Sequence, residues 1–339
     1  MRKISKLKMF SLLSALLIML TACGAEESSS ESSTTEGSDS STEPAEELIS
    51  FKIGINKIGA LTNVWAAEQL GIFEEYGLDV ELIEFRSGAE AINAQRSGEV
   101  HVVNSFPGAA MVANEQGFDL VAVAQNETAK AEGPDSGAII VQEDSEIQSL
   151  SDLAGKKIAV YNLRNQLVIA LNNLIEEAGV SPDDVELVEV PFSSMYDTLI
   201  NNQVDAVSTV DPYTTQILTS GEGRVISWNY VESIPEQPLG AWFARADYVN
   251  ENEEAISRFN AAISESMEYM LEDEDRAREH IVEFTGIDAD LVNEMPMIGW
   301  SNNINVDVWQ EIVDMFVEAG ELEEQLNVED YIAKIAKNK

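Results

Sequence analysis

Five short segments hold most of the side chains that could do chemistry: Asn56 to Thr62, Ser105 to Gly108, Gln125 to Thr128, Tyr161 to Asn165 and Asp211 to Tyr213. Lys57 and Arg164 are their only cations, set against the carboxylates of Glu127 and Asp211, a mixture that suits no multiply charged anion. Hydroxyl and amide groups on Ser105, Gln125, Asn126 and Asn162 could orient a small solute. Phe106, Tyr161, Tyr213 and Trp242 could sandwich a flat ring, with Asp211 accepting from its amino group. A second chemistry competes with this one. The backbone N–H groups of helices that start after Ser105 and Asn162 could hold an oxyanion, with Arg164 as counter-charge. Each aromatic taken singly fits a core as well as a ligand, and their joint placement is what marks them.

Catalysis has little material. His101 stands in an apolar strand and His280 in an acidic helical stretch, both structural settings for a lone imidazole. No G-x-S-x-G elbow, P-loop or H-E-x-x-H motif occurs. The single cysteine, Cys23, leaves neither a thiol nucleophile nor an internal disulfide nor a multi-thiolate metal site. With 61 acidic residues, pairs of carboxylates arise by chance and identify nothing. The expectation is a binder with no cofactor and no metal.

These segments need elements to aim them. Phe51 to Ile55 is a short apolar strand, and Val64, Ala67 and Leu70 share one face of a helix that follows. Gly71 and Gly77 break the chain, after which Leu78, Val80 and Leu82 alternate with Asp79 and Glu81 as in a half-buried strand. Strand, loop, helix, strand is a βαβ unit, and ligands in such sheets sit beyond the carboxyl ends of the strands. Further strands are expected at Val100 to Val103, Leu120 to Ala124, Gly137 to Val141, Lys157 to Tyr161, Val185 to Val190, Val204 to Thr209 and Leu239 to Ala244, with a loop from Gln125 to Asp135. From about Asn252 the pattern is helical, and these segments should pack back on the first lobe. Ser97 to Val103 aligns without gaps against Asn201 to Val207, each with a proline close behind, which suggests two α/β lobes built alike.

The chain begins differently. Arg2, Lys3, Lys6 and Lys8 precede an apolar run, Met9 to Leu20, too short to span a bilayer. Leu20-Thr21-Ala22-Cys23 resembles a bacterial lipobox, whose cysteine is lipidated, so residues 1–22 read as a lipoprotein signal peptide and 23–48 as a disordered Ser/Glu-rich tether. The net charge of −41 excludes nucleic acid as a partner and fits a hydrated surface adapted to salt or alkali. No D-x-[DN]-x-[DN]-G-x5-E loop supports calcium.

Leu70-Gly-Ile-Phe-Glu-Glu-Tyr-Gly-Leu-Asp-Val-Glu81, Asp152-Leu-Ala-Gly-Lys-Lys-Ile-Ala-Val160 and Gln203-Val-Asp-Ala-Val207 resemble segments of ABC-importer substrate-binding proteins, in the group serving nitrate, sulfonates, taurine and thiamine precursors. The resemblance covers about residues 50 to 320. It implies an α/β, type II periplasmic-binding-protein fold, two lobes joined by two crossovers near Val141 and Gln237. Lobe 1 would comprise 49–141 and 238–339, and lobe 2 would comprise 142–237. It further implies a monomeric receptor, held by lipidated Cys23 on the extracytoplasmic face of a Gram-positive type of cell. Such a receptor would trap a pyrimidine-like or a sulfonate- or nitrate-like solute and hand it to a permease with its ATPase. A sensing domain that signals to a membrane partner is the alternative, and an enzyme on this fold comes third. His101 departs from the family's pattern, where an acid is common. The iron motif of the eukaryotic pyrimidine synthases of this fold is absent.

Overall fold

A computed structural model describes residues 47–161 and 163–337. The expected signal peptide, Cys23, almost all of the tether and Asn162 lie outside the described residues.

Among the described residues ten strands form two five-stranded sheets: β1 (Ile49–Ile55), β2 (Leu78–Glu84), β3 (Val102–Ser105), β4 (Leu120–Thr128), β5 (Gly137–Gln142), β6 (Lys157–Val160), β7 (Glu186–Glu189), β8 (Ala206–Val210), β9 (Gly223–Ser227) and β10 (Pro238–Arg245). The first sheet runs β2-β1-β3-β10-β4 and the second β7-β6-β8-β5-β9. The orders are equivalent. In each sheet the fourth place is filled by an antiparallel strand that has crossed from the other lobe, β10 in the first and β5 in the second. The strand Gly137–Gln142 therefore belongs to lobe 2. The first crossover is the segment 129–136, ahead of the Val141 position that the resemblance implies, because β5 pairs with β8 and β9 along its length.

The aligned segments of the two lobes share a hydrogen-bond device. His101 and Asp205 occupy matched places just ahead of β3 and β8. The His101 Nδ1 accepts the backbone N–H of Lys52 at 3.0 Å, and the Asp205 carboxylate accepts that of Lys157 at 2.8 Å. His101 also lies 4.6 Å from the Tyr248 ring in a stacked arrangement, and burial and nearby Lys52 lower its pKa. The imidazole does the same mechanical job as the carboxylate, accepting one backbone N–H from the neighbouring strand.

In the first βαβ unit, the helix Thr62–Gln69 buries Val64 and Ala67 against the long helix Glu253–Leu271, whose Phe259, Ile263, Met267 and Met270 all face the core. Burial of each large apolar side chain contributes about 2 kcal/mol. Leu70, expected on the same face, is instead the residue that closes the helix and is 44% exposed. The chain needs Gly71 there, at φ 75, to turn toward β2.

The C-terminal helices cover lobe 1. In the helix Val306–Glu318, Trp309 is buried near Phe243, and Phe316 sits where a Cβ on Gly108 would come within 2.3 Å of its ring. Glycine is therefore the residue that lets this helix approach Pro107–Glu115. The segment that follows returns to the free edge of β4, where Ala333 donates its N–H to the Ala122 carbonyl at 2.9 Å. Both crossovers, 129–136 and 234–237, run side by side. Ala129 donates to the Gln237 carbonyl at 2.8 Å and Glu236 to that of Lys130 at 3.2 Å.

Candidate functional site

A cavity of about 400 Å³ lies between the lobes at the carboxyl ends of their strands. Lobe 1 contributes Ile58 to Ala60 after β1, Phe106 after β3 and Glu127 near the end of β4. Lobe 2 contributes Tyr161 after β6, Gln166 and Leu167 at a helix start, Phe192 after β7 and Asp211 after β8. Tyr230, Leu239, Ile287, Met295 and Ile298 also line it. Tyr161 stacks on Phe192 at 4.6 Å and 9°, and Phe192 faces Tyr213 at 6.0 Å and 16°. Tyr161 is 50% exposed and Phe106 is 39% exposed. Exposed rings arranged around a concave apolar space are what a flat ligand would cover.

The lining carboxylates are held in an unusual state. Burial, with the charge of Asp135 close by, pushes Glu127 up to about 8. Burial also pushes Asp211 up to about 6, against the pull of two hydrogen bonds from Thr215 and the charge of Lys130. Those two bonds, from the Thr215 N–H at 3.0 Å and its hydroxyl at 2.7 Å, both end on Asp211 Oδ1; Oδ2 is buried without a partner. Burial and the neighbouring acids raise the Tyr230 phenol above its ordinary range, so it stays neutral.

The expected site residues divide into three groups. Phe106, Tyr161 and Asp211 line the cavity, and Tyr213 stands behind Phe192. Gln125, Asn126 and Trp242 are frame rather than surface. Trp242 is fully buried and donates its indole N–H to Asn126 Oδ1 at 3.1 Å, while Gln125 Oε1 accepts from Trp309 at 2.9 Å. The reason is that β4 extends to Thr128, so Gln125 and Asn126 lie within a strand instead of a loop. Asn126 still serves the site at one remove. Its Nδ2 donates to the Ala60 carbonyl at 3.0 Å, which also accepts from Trp300 at 2.9 Å, and this pins the turn Gly59–Leu61 at the cavity.

The third group lies elsewhere. Lys57 faces a separate surface groove beside Trp65 and Glu68. Ser105 is half-buried, with its hydroxyl 3.3 Å from the Phe106 carbonyl, and does not line the cavity. Arg164 is paired with Glu321, whose segment packs on lobe 1, through contacts of 2.7 and 2.8 Å. Asn162 lies outside the described residues.

The anion reading loses donors as well. Asn165 caps its own helix by accepting the Val168 N–H at 2.9 Å, and the helix after Ser105 opens with Pro107, which has no N–H to offer. Among the described residues no Lys or Arg lines the cavity. Sequence reasoning missed Gln166, Phe192 and Tyr230. Phe192 follows β7 and was open to the strand-end rule. Gln166 begins a helix, and Tyr230 sits on a short helix, Asn229–Ser233, that shows no periodicity. Ile287, Met295 and Ile298 arrive from the C-terminal segment, which no strand-end rule reaches.

The model of the NMT1/THI5-like family matches residues 60–277, from the pinned turn at the cavity to the helix Glu274–Thr285. The chain belongs to that family. This NMT1/THI5-like chain is 25% identical over 218 residues to the formylaminopyrimidine-binding protein of Halalkalibacterium halodurans, covering 64% of each. Among solved structures it is similar to the periplasmic aliphatic sulphonate binding protein of Escherichia coli, with a TM-score of 0.71 at 20% identity over 86% of this chain and 94% of that one. It is similar also to the periplasmic nitrate-binding protein of Synechocystis PCC 6803, with a TM-score of 0.69 at 13% identity over 86% and 87%. The fold is thus that of the periplasmic binding proteins, the two-lobe arrangement that the resemblance implies.

Proposed function

We propose that this protein is the extracytoplasmic receptor of an ABC importer, anchored through lipidated Cys23, and that it closes on a flat nitrogenous solute of the aminopyrimidine class. One observation carries the ligand class: the cavity between the lobes is walled by Phe106, Tyr161, Phe192 and Tyr230, holds Glu127 and Asp211, and among the described residues has no Lys or Arg in its lining. A sulfonate or nitrate brings a negative charge that the Asp211 carboxylate repels and that, among the described residues, no lining Lys or Arg neutralises. A ring with amino groups stacks on the aromatics and donates to the carboxylates. The formylaminopyrimidine-binding relative is consistent with this class. Solute binding would favour the closed arrangement of the lobes by a hinge at the paired crossovers, and the closed receptor would be the form that a permease recognises.

Thermal-shift measurements against two panels test the proposal. Aminopyrimidines should raise the unfolding temperature and alkanesulfonates should leave it unchanged. Stabilisation by taurine or alkanesulfonates with no response to any pyrimidine would overturn the ligand class.

A further inference from the structure

The polar side chains around the cavity are unbalanced. Apart from hydroxyls on Ser136, Tyr161 and Tyr230, which serve either way, and Asn165, which caps its helix, they present acceptors. Gln166 is the least expected of these. Its side chain is 3% exposed, and its Nε2 donates to Gln237 Oε1 at 2.6 Å and to the Pro238 carbonyl at 3.1 Å. Gln237 in turn spends its own Nε2 on the Tyr230 carbonyl and the Ser233 hydroxyl. The pair of amides is therefore fixed in orientation, since reversing Gln166 would set its oxygen against the Pro238 carbonyl. Gln166 Oε1 is left at the cavity as a buried acceptor with no donor.

Asp211 Oδ2 is a second buried acceptor without a donor in the same wall, and the Glu127 carboxylate, from the opposite lobe, is a third acceptor in the lining. A buried acceptor left unmatched costs free energy that a bound donor recovers. We infer that Glu127, Gln166 and Asp211 form one acceptor set divided between the lobes, and that it selects a flat solute bearing N–H donors on more than one edge and a delocalised positive charge, of the amidinium or aminopyrimidinium type. The inference rests on the nitrogenous-ring reading above and adds the charge state and donor pattern of the ring. It also gives the hinge a reason to respond. Gln166 is bonded to Gln237 and Pro238 at the second crossover, so a donor that engages Gln166 touches the segment about which the lobes move.

The charged and titratable groups facing these acceptors are Asp135, Lys130 and Tyr230. At pH 7 Glu127 holds a proton and Asp211 mostly does not. A cation that lodges beside Glu127 displaces that proton, so its affinity should rise with pH and level off above about 8.

Calorimetric titration with three probes on one ring skeleton tests this: benzamidinium, benzamide and benzenesulfonate. Benzamidinium should bind at least about tenfold more tightly than benzamide at pH 8, and benzenesulfonate should not bind. Glu127→Gln and Asp211→Asn should each weaken benzamidinium by about tenfold or more and benzamide by less than about threefold. The benzamidinium affinity should climb between pH 6 and 8 while that of benzamide stays flat. Circular dichroism melting verifies that both isosteric variants fold. Benzamide binding as tightly as benzamidinium, a flat pH profile, or no benzamidinium binding at millimolar concentration overturns the acceptor set. Those results leave the wider reading standing if aminopyrimidines still stabilise the protein. Binding of benzenesulfonate alone overturns both.

Discussion

Replacing Glu127 by Gln should make the ligand-free protein more stable, and by an amount that depends on pH. The Glu127 carboxyl lies in the cavity wall and is raised from an ordinary 4.5 to about 8 by burial and by the charge of Asp135. A carboxyl whose pKa is higher in the folded state binds more protons there than in the unfolded chain. Stability therefore falls as pH rises from 4.5, and the full loss is reached above about 8. At about 1.4 kcal/mol per pH unit the whole effect is about 5 kcal/mol. The side chain is only partly shielded from solvent, and about half of that, 2 to 3 kcal/mol, is the figure to expect. For a folded region of this size that is a rise of about 5 °C in the midpoint at pH 9. At pH 5 the two proteins should melt within about 1 °C of each other. Calorimetry of wild type and Glu127→Gln at pH 5, 7 and 9 reads the trend directly. Equal midpoints at pH 9, or a difference that is as large at pH 5, would refute the claim that an unpaired carboxylate is being held in the cleft.

Asn126→Ala should cost about 3 kcal/mol in urea unfolding, because the Trp242 and Asn63 donors lose their acceptor inside the core, and a loss below about 1 kcal/mol would contradict this bonding. Arg164→Ala removes an exposed ion pair that joins a lobe 2 loop to Glu321. It should leave the midpoint unchanged and speed ligand release in stopped-flow measurements, with Glu321→Ala giving the same result; unaltered release would show that the pair does not hold the cleft. Cys23→Ser should abolish incorporation of labelled fatty acid and move the protein from membranes to medium, and continued labelling would contradict the lipobox reading.

Much of the fold was legible because period and punctuation agree with tertiary packing. The alternation from Leu78 to Leu82 and the helical spacing on Glu253–Leu271 reflect faces that pack on the core, with Leu78 buried and Val80 and Leu82 partly so. The gapless alignment of Ser97 to Val103 with Asn201 to Val207 marks equivalent strands, and the His101 and Asp205 contacts explain why unlike residues fill one place. What failed did so for local reasons. Gln125 and Asn126 look like loop residues by composition, yet their amides satisfy a buried ladder and two indole N–H groups. Trp242 reads as a ligand ring and is core. The resemblance puts the first crossover at the end of β5 and the strand pairing puts it at the start, since an apolar strand does not announce which sheet it joins. Gln166 was invisible because its value as an acceptor depends on Gln237, 71 residues away in sequence.

The central claim is that the cleft takes a donor-bearing ring and refuses an oxyanion. Isothermal titration of wild type and Asp211→Asn with an aminopyrimidine and with taurine tests it most directly. Wild type should bind the aminopyrimidine and not taurine, and Asp211→Asn should weaken the ring by about tenfold while sparing or strengthening any residual oxyanion binding. Taurine binding to wild type that is tighter than that of the ring, and that Asp211→Asn weakens, would contradict it.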